Sequence, residues 1–435
     1  MTVIGIDIGT TTVSAVLIED TGKVITSRTR KNSGFLPTEH PWEKIQNPDD
    51  LAAIARELVC ELQAEASDVA GIGITGQQHG ILYLNGKGEA ISPLYTWQDA
   101  RGLQPLPDGT TACAQIRERT GITVPSGYGL ATHLYNMVQG LVPEDTAKLC
   151  TISDYVAMKL ADLKAPSTSP SHAHALGLYD PEENRFSSAA LQALGIRAER
   201  LPSVEDCAVL ARRTDGILVG RAIGDNQASF IGATGGQNRG VLLNVGTGSQ
   251  VSVYSTVPSR NDTLETRPFP GGGYLLVGAT LCGGRAYALL EQFFRQTVQL
   301  MTNQEVNSCY DGMAAVLAQG KPDHIPQIQP FFAGTRKNPE QTAQITELTD
   351  DNFTPRHMVW AMLQGMAWEL WDMYQSAAAD AVSQGFWGAG NGLRKNPWLC
   401  RILEEQFGGE LTLSESCEEA SRGAALYILN ALKEA

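Results

Sequence analysis

One pattern occurs twice in this chain. VIGIDIGTTTVSAVLI begins at Val3, and GVLLNVGTGSQVSVYS begins at Gly240. Each copy reads apolar strand, polar residue, glycine and threonine, polar turn, apolar strand. Asp7 corresponds to Asn244, Gly9 to Gly246 and Thr10 to Thr247, an offset of 237 residues. Solenoid repeats recur every ~20–50 residues, so a period this long duplicates a whole domain. Neither copy is a P-loop (G-x-x-x-x-G-K-[ST]) or a dinucleotide fingerprint (G-x-G-x-x-G). A strand–Gly-Thr–strand turn is either a polar hairpin or a cradle of amides and hydroxyls for a phosphate. A second copy favours the cradle, because one hairpin per domain can grip a nucleotide from both sides of a cleft.

The surrounding pattern is α/β. After the first hairpin, Leu51, Ile54, Ala55, Leu58 and Leu62 recur at helical spacing within 48–66. Val69 to Ile74 reads as a buried strand running into the polar loop TGQQHG. Strand and helix alternate over the first ~90 residues. Helical stretches follow near 113–120, 131–140 and 153–162. Residues 164–174, rich in Ser, Pro and His, read as a loop, and 385–392 as a glycine-rich turn. His172 and His174 stand at i, i+2, which suits a loop or a substrate wall better than a metal site.

Charge and composition exclude other classes. The 435 residues carry 47 acidic and 33 basic side chains, a net charge of −14. That opposes binding to nucleic acid or to an anionic membrane. It leaves nucleotides open, since amides and Mg²⁺ can hold their phosphates. No apolar run reaches the ~18 residues of a membrane span. The opening MTVIGIDIGTTT has no basic n-region, so no signal peptide is expected. The 8 cysteines are scattered without C-x-x-C spacing, which predicts reduced thiols in a cytoplasmic protein.

Several polar residues are candidates for chemistry. Asp7, ending a strand, can hold Mg²⁺ through water. Asp225 follows Gly224 just before the second hairpin, and is either a helix cap or a base that takes a proton from a hydroxyl. Gln77, Gln78 and His79, with Trp97, Gln98 and Asp99, offer donors, acceptors and an aromatic wall to a polyol. Gly388 to Gly392 offers flat backbone to a nucleoside, or is an ordinary helix cap.

These residues resemble the FGGY carbohydrate kinases of the actin-like ATPase superfamily. The likeness runs end to end through GIDIGTTT, GITGQQHG, TWQDAR, SDY, GDNQAS, LNVGTGSQ, GMAWEL and GAGNGLRKNPWL. Within the family, GQQHG, TWQDAR and YGLAT look most like the G-Q-M-H-G, T-W-Q-D-G-R and F-G-C-A-T of members acting on sedoheptulose. Members acting on xylulose share Q-x-H-G. The resemblance implies an α/β fold of two ribonuclease-H-like domains with mixed sheets flanking a central cleft. It implies a sugar-binding domain over 1–221 and an ATP-binding domain over 222–435. Asp225 then matches the catalytic base and Asp7 the Mg²⁺-associated aspartate. Thr10, Thr11, Gly246 and Thr247 match the phosphate hairpins. Gly283, Gly388, Gly390, Asn391 and Arg394 fall where ADP and adenosine are held. Gln78, His79, Trp97, Asp99 and Asn226 fall where the sugar is held.

The expected activity is transfer of phosphate from ATP to a terminal hydroxyl of a ketose, sedoheptulose at O7 first, another pentulose or hexulose second. A sugar sensor without catalysis and an actin-like chaperone are the rivals from other classes. The expected partners are a small ketose and ATP, with no nucleic acid and no membrane; the resemblance allows a homodimer. The chain departs from the family in altered loops after Lys164 and around Pro258 to Phe269, in Ser14 where some relatives have Arg, and in His133 where many have Lys.

Overall fold

The computed structural model describes residues 1–259, 263–335, 338–377, 381–414 and 418–434. Residues 260–262, in one of the altered loops, lie outside that set. By contact the chain forms two units. The first holds Met1–Gln237, Arg267–Tyr274 and the segment from Glu418 onward; the second holds Asn238–Thr266 and Leu275–Cys417.

The first unit is built on a seven-stranded mixed sheet. Thr2–Ile8 and Thr12–Glu19 pair antiparallel, with Asp7 opposite Ser14, and Val24–Lys31 extends that edge. On its other side Thr2–Ile8 runs parallel to Val69–Gly76. Ile223–Gly224 also joins Val69–Gly76, so that Gly224 lies opposite Gly76 and Gly76 opposite Ile8. Three strand ends therefore converge where Asp7, Gln77 and Asp225 emerge. The buried apolar face joins Ile4, Ile6 and Ile8 to Leu51, Leu58 and Leu62 of the helix Pro48–Glu65. That helix starts where the hydrophobic spacing predicts, with Asn47 accepting from the Asp49 amide as N-cap.

The helix that begins at Asp225 is seated by small residues. Asp225–Ala233 packs on the C-terminal helix Glu419–Glu434. A Cβ at Gly423 would lie 1.7 Å from the Ala228 carbonyl oxygen, and one at Gly232 would lie 1.9 Å from that of Glu419. Only glycine at both positions lets the two backbones touch. The end of the chain thus props the helix that presents Asp225.

The second unit repeats the arrangement. Val241–Val245 pairs antiparallel with Ser249–Ser255 and parallel with Phe386–Ala389. Its six-stranded sheet runs Glu265–Pro268, Tyr274–Thr280, Ser249–Ser255, Val241–Val245, Phe386–Ala389, Thr412–Leu413. A hairpin on one side and parallel strands on the other is the ribonuclease-H-like, actin-like plan, present once per unit.

Two local readings change. Residues 170–176 are a helix, not loop: Ser169 caps it by accepting from the His172 amide, Pro170 opens it and Gly177 closes it. The stretch 386–389 is a strand inside the second sheet rather than a turn. Glycines hid it, because side-chain patterning is missing where neighbours need close approach. No helix among the described residues is long and apolar enough to cross a membrane.

Candidate active site

In the first unit the hairpin after Thr2–Ile8 is clamped by side chains. Asn32 Nδ2 and Gln46 Nε2 both donate to the Thr10 carbonyl, at 2.7 and 2.8 Å. Trp97 Nε1 donates to the Thr10 hydroxyl at 3.0 Å, and that hydroxyl lies 3.4 Å from Gln77 Oε1. Gln77 Nε2 donates to Gln46 Oε1 at 3.0 Å, closing the ring. Thr11 is exposed at the tip. Trp97 stays 46% exposed although its indole N–H is bonded, so its ring face is open.

Asp225 occupies the first position of its helix. Gln78 Nε2 and Asn226 Nδ2 (the latter at 2.7 Å) both donate to its Oδ1. Among the described residues no side chain or amide donates to Oδ2. The preceding amide, of Gly224, donates to Ser171 Oγ at 3.1 Å. A carboxylate held by one oxygen, with the other unengaged, can accept a proton from a hydroxyl.

Asp7 faces Asp225. Its carboxyl is pushed up to about 7, first by burial and then by the negative charges of Asp225 and Glu418. Uncompensated negative charge of this kind favours a cation. Among the described residues no three His, Cys, Asp or Glu side chains converge closely enough to enclose a metal ion. The residues therefore fit Mg²⁺ held largely by water and phosphate, the mode its tight hydration favours.

His79 has φ of 76°, a left-handed conformation uncommon for a residue with a Cβ. Its Nδ1 lies 2.9 Å from the Ala175 carbonyl and so carries the proton; the ring stacks on Tyr128 at 4.1 Å. The helix 170–176 therefore supports both His79 and, through Ser171, the peptide before Asp225.

Asp99 lies elsewhere than expected of a sugar contact. It is fully buried and paired to Arg101 through Oδ1 (2.7 Å) and Oδ2 (3.0 Å), and its Oδ2 also accepts from the Lys44 amide. Arg101 lies over the Tyr95 ring at 4.1 Å and donates to Asn136 Oδ1 at 2.8 Å. Asn136 Nδ2 reaches Tyr83 OH, which bonds His133 Nδ1 at 2.9 Å. The expected sugar-side carboxylate is thus a buried strut under the Trp97 loop. Burial, aided by Arg200 and Arg197, pushes His133 down to about 4 and so keeps it neutral. His172 is also fully buried, with Nδ1 3.5 Å from Asp154 Oδ1.

The second unit carries a cavity of about 850 Å³, lined by Gly246, Thr247, Arg285, Tyr287, Asn391 and Lys395 among others. Its hairpin is held by backbone. The Gly284 amide donates to the Gly246 carbonyl at 2.9 Å and the Arg285 amide to that of Thr247 at 3.1 Å. Gly283 caps the helix Gly284–Thr302, and a Cβ there would lie 2.0 Å from Ser249 Oγ. Gly390 has φ of 90° and touches the Val245 carbonyl behind the hairpin. Gly388 and Arg394 do not line the cavity. Gly388 lies against Leu393 and Leu413, and Arg394 donates to the Ser414 carbonyl at 3.0 Å. Lys395 and Arg285 supply the cavity's cations, and Tyr287 stacks on Tyr310 at 5.9 Å.

Asn32, Gln46, Arg101, Tyr128, Ser171 and the cavity residues Arg285, Tyr287 and Lys395 are absent from the candidates read off the sequence, whereas Gly246, Thr247 and Asn391 are among them. The absent ones are single polar or aromatic residues far apart in the chain, so no local spacing marks them.

Each unit carries one such hairpin, and comparison with known proteins gives the family. Residues 2–232 match the model of the FGGY family of carbohydrate kinases, N-terminal domain. The chain belongs to that family and is a carbohydrate kinase. It is 27% identical to sedoheptulokinase of Mus musculus, over 98% of this chain and 97% of that protein. A glycerol kinase of Alteromonas mediterranea is 24% identical over 97% of this chain and 89% of its own. Among solved structures, xylulose kinase from Rhodospirillum rubrum shares the fold with a TM-score of 0.82 at 21% identity, covering 100% of this chain and 90% of that one. Plasmodium falciparum glycerol kinase with ADP gives a TM-score of 0.77 at 16% identity, covering 100% and 92%.

Proposed function

We propose that the chain transfers the γ-phosphoryl group of ATP to the terminal hydroxyl of a ketose, converting sedoheptulose to sedoheptulose 7-phosphate. The observation that carries the chemistry is Asp225, held through Oδ1 with Oδ2 unengaged, beside the Thr10 hairpin. The ketose hydroxyl gives its proton to Asp225 as its oxygen bonds to phosphorus. The bond from phosphorus to the bridging oxygen breaks and ADP leaves. Asp7 would hold Mg²⁺ through water, and the ion would neutralise phosphate charge there. Hairpin amides stabilise the charge on the transferring phosphoryl group.

Residues 1–221 carry the sugar contacts His79 and Trp97, and Asn226 lies just beyond that span. Residues from 222 carry the ATP contacts, with adenosine in the Tyr287 cavity. Relatives named sedoheptulokinase match over nearly their whole length, which supports the seven-carbon ketose as first choice. The test is ADP release with Mg·ATP against sedoheptulose, D-xylulose, D-ribulose, L-ribulose, D-fructose and glycerol. Preference for sedoheptulose is expected. Preference for another sugar sinks the substrate assignment and keeps the mechanism. No sugar-stimulated turnover sinks both.

A further inference from the structure

Gln78 occupies an unusual place for a sugar contact. It is only 3% exposed. Its amide nitrogen meets two acceptors, Asp225 Oδ1 and, at 3.5 Å, Gln227 Oε1. Gln227 is itself fixed, since its Nε2 donates to the Pro268 carbonyl at 2.9 Å and turns its oxygen toward Gln78. The order Pro268, Gln227, Gln78, Asp225 therefore leaves one sense for both amides. Asn226 Nδ2 adds a second donor to the same Asp225 oxygen.

An oxygen that accepts hydrogen bonds holds its charge and takes a proton less readily. Two donors on Oδ1 and, among the described residues, none on Oδ2 make the two oxygens unequal. We propose that Gln78 is a positioning residue for the base: with Asn226 it holds Oδ1, so that Oδ2 is the oxygen that receives the hydroxyl proton. The proton moves from the acceptor hydroxyl to Oδ2, while Gln78 gains and loses nothing. This inference rests on the reading of Asp225 as the base.

The test is a double-mutant cycle in the full-length enzyme, with Mg·ATP and whichever ketose the panel identifies. Gln78→Met keeps most of the volume and removes the donor. Loss of a hydrogen bond to a charged group predicts a fall in kcat of about 10- to 100-fold. The ketose KM should change less than about twofold, because the interaction is with the base and not the sugar. In the Asp225→Asn background the same substitution should cost nothing further, since coupled residues are non-additive. Gln78→Asn, too short to reach Oδ1, should repeat the pattern if Gln78→Met fails to fold. A raised KM with unchanged kcat, or an equal loss in both backgrounds, overturns the inference and leaves Asp225 as base. Full activity of Asp225→Asn alone overturns the inference and the base together.

Discussion

The two hairpins have one backbone plan and two kinds of support. The first is clamped by side chains from distant segments: Asn32, Gln46, Gln77 and Trp97 all meet Thr10 or its neighbours. The second is tied to the helix that follows the Gly283 cap by amide-to-carbonyl bonds, and it borders a cavity of about 850 Å³. Side-chain clamps fix a small set of polar positions, as discrimination among small polyols requires. Backbone ties with an aromatic-walled cavity suit a large ligand whose phosphates are read by amides and whose base is read by surface contact. The repeat supplies the same strand–Gly-Thr–strand turn twice, and the two copies differ in what surrounds them.

The sharpest way to break that comparison is at Asp225, which belongs by contact to the first unit. Asp225→Asn should fold with a melting temperature no lower than the parent's, because the helix rests on Gly232 and Gly423 and the lost charge relieves repulsion with Asp7. Turnover should fall by roughly two to four powers of ten, the scale of a lost general base. Measured kcat near that of the parent enzyme would remove the base from the first unit altogether.

Tyr287→Ala probes the other side. Its ring lines the cavity and stacks on Tyr310. Removing an aromatic wall should raise the ATP KM about tenfold, on the scale of ~1.5 kcal/mol for ring contacts. The ketose KM should stay constant. A matching rise in the ketose KM would mean that the cavity does not serve the nucleotide alone.

Trp97→Phe is milder. It deletes the N–H to Thr10 while keeping an apolar ring. One neutral hydrogen bond is worth about 0.5–1.5 kcal/mol, so kcat/KM for the ketose should fall about 2- to 10-fold. Equal loss with every sugar of the panel would tie Trp97 to the hairpin; unequal loss would tie it to sugar recognition.

The units differ too in how much of them the sequence discloses. The repeat was legible because strand–Gly-Thr–strand is contiguous, and both copies fold as the pattern predicts. The helix over 48–65 was legible from its apolar spacing and Asn47. The helix 170–176 was not, because seven residues give too little periodicity and its Ser, Pro and His content reads as loop. Asp99 shows a further limit. A carboxylate beside an exposed tryptophan looks like a ligand contact until Arg101, two residues on, is seen to consume it. Gln78 shows the converse, since which acceptor an amide meets depends on a helix 147 residues away. Local order is written locally; partner choice is a property of the assembled strand ends.

The smallest effect concerns the carboxylates of the first unit before any ligand binds. Asp7 titrates at about 7 in the folded chain against an ordinary 3.8, first through burial, then through Asp225 and Glu418. A raised acid pKa means the folded state binds the extra proton between those values. Stability of the ligand-free protein should therefore be higher near pH 5 and fall as pH rises toward 7, with the penalty fully present above 7. Asp7→Asn removes the penalty and should flatten that slope. If about 1 kcal/mol is recovered, the melting temperature at pH 8 rises about 1–2 °C, although turnover falls. Mg·ATP should remove the same penalty in the parent enzyme by placing a cation beside the carboxylate, and so should stabilise the parent more than the variant at pH 8. Equal stabilisation of both by Mg·ATP would place the metal away from Asp7 and assign the phosphate grip to the second hairpin alone.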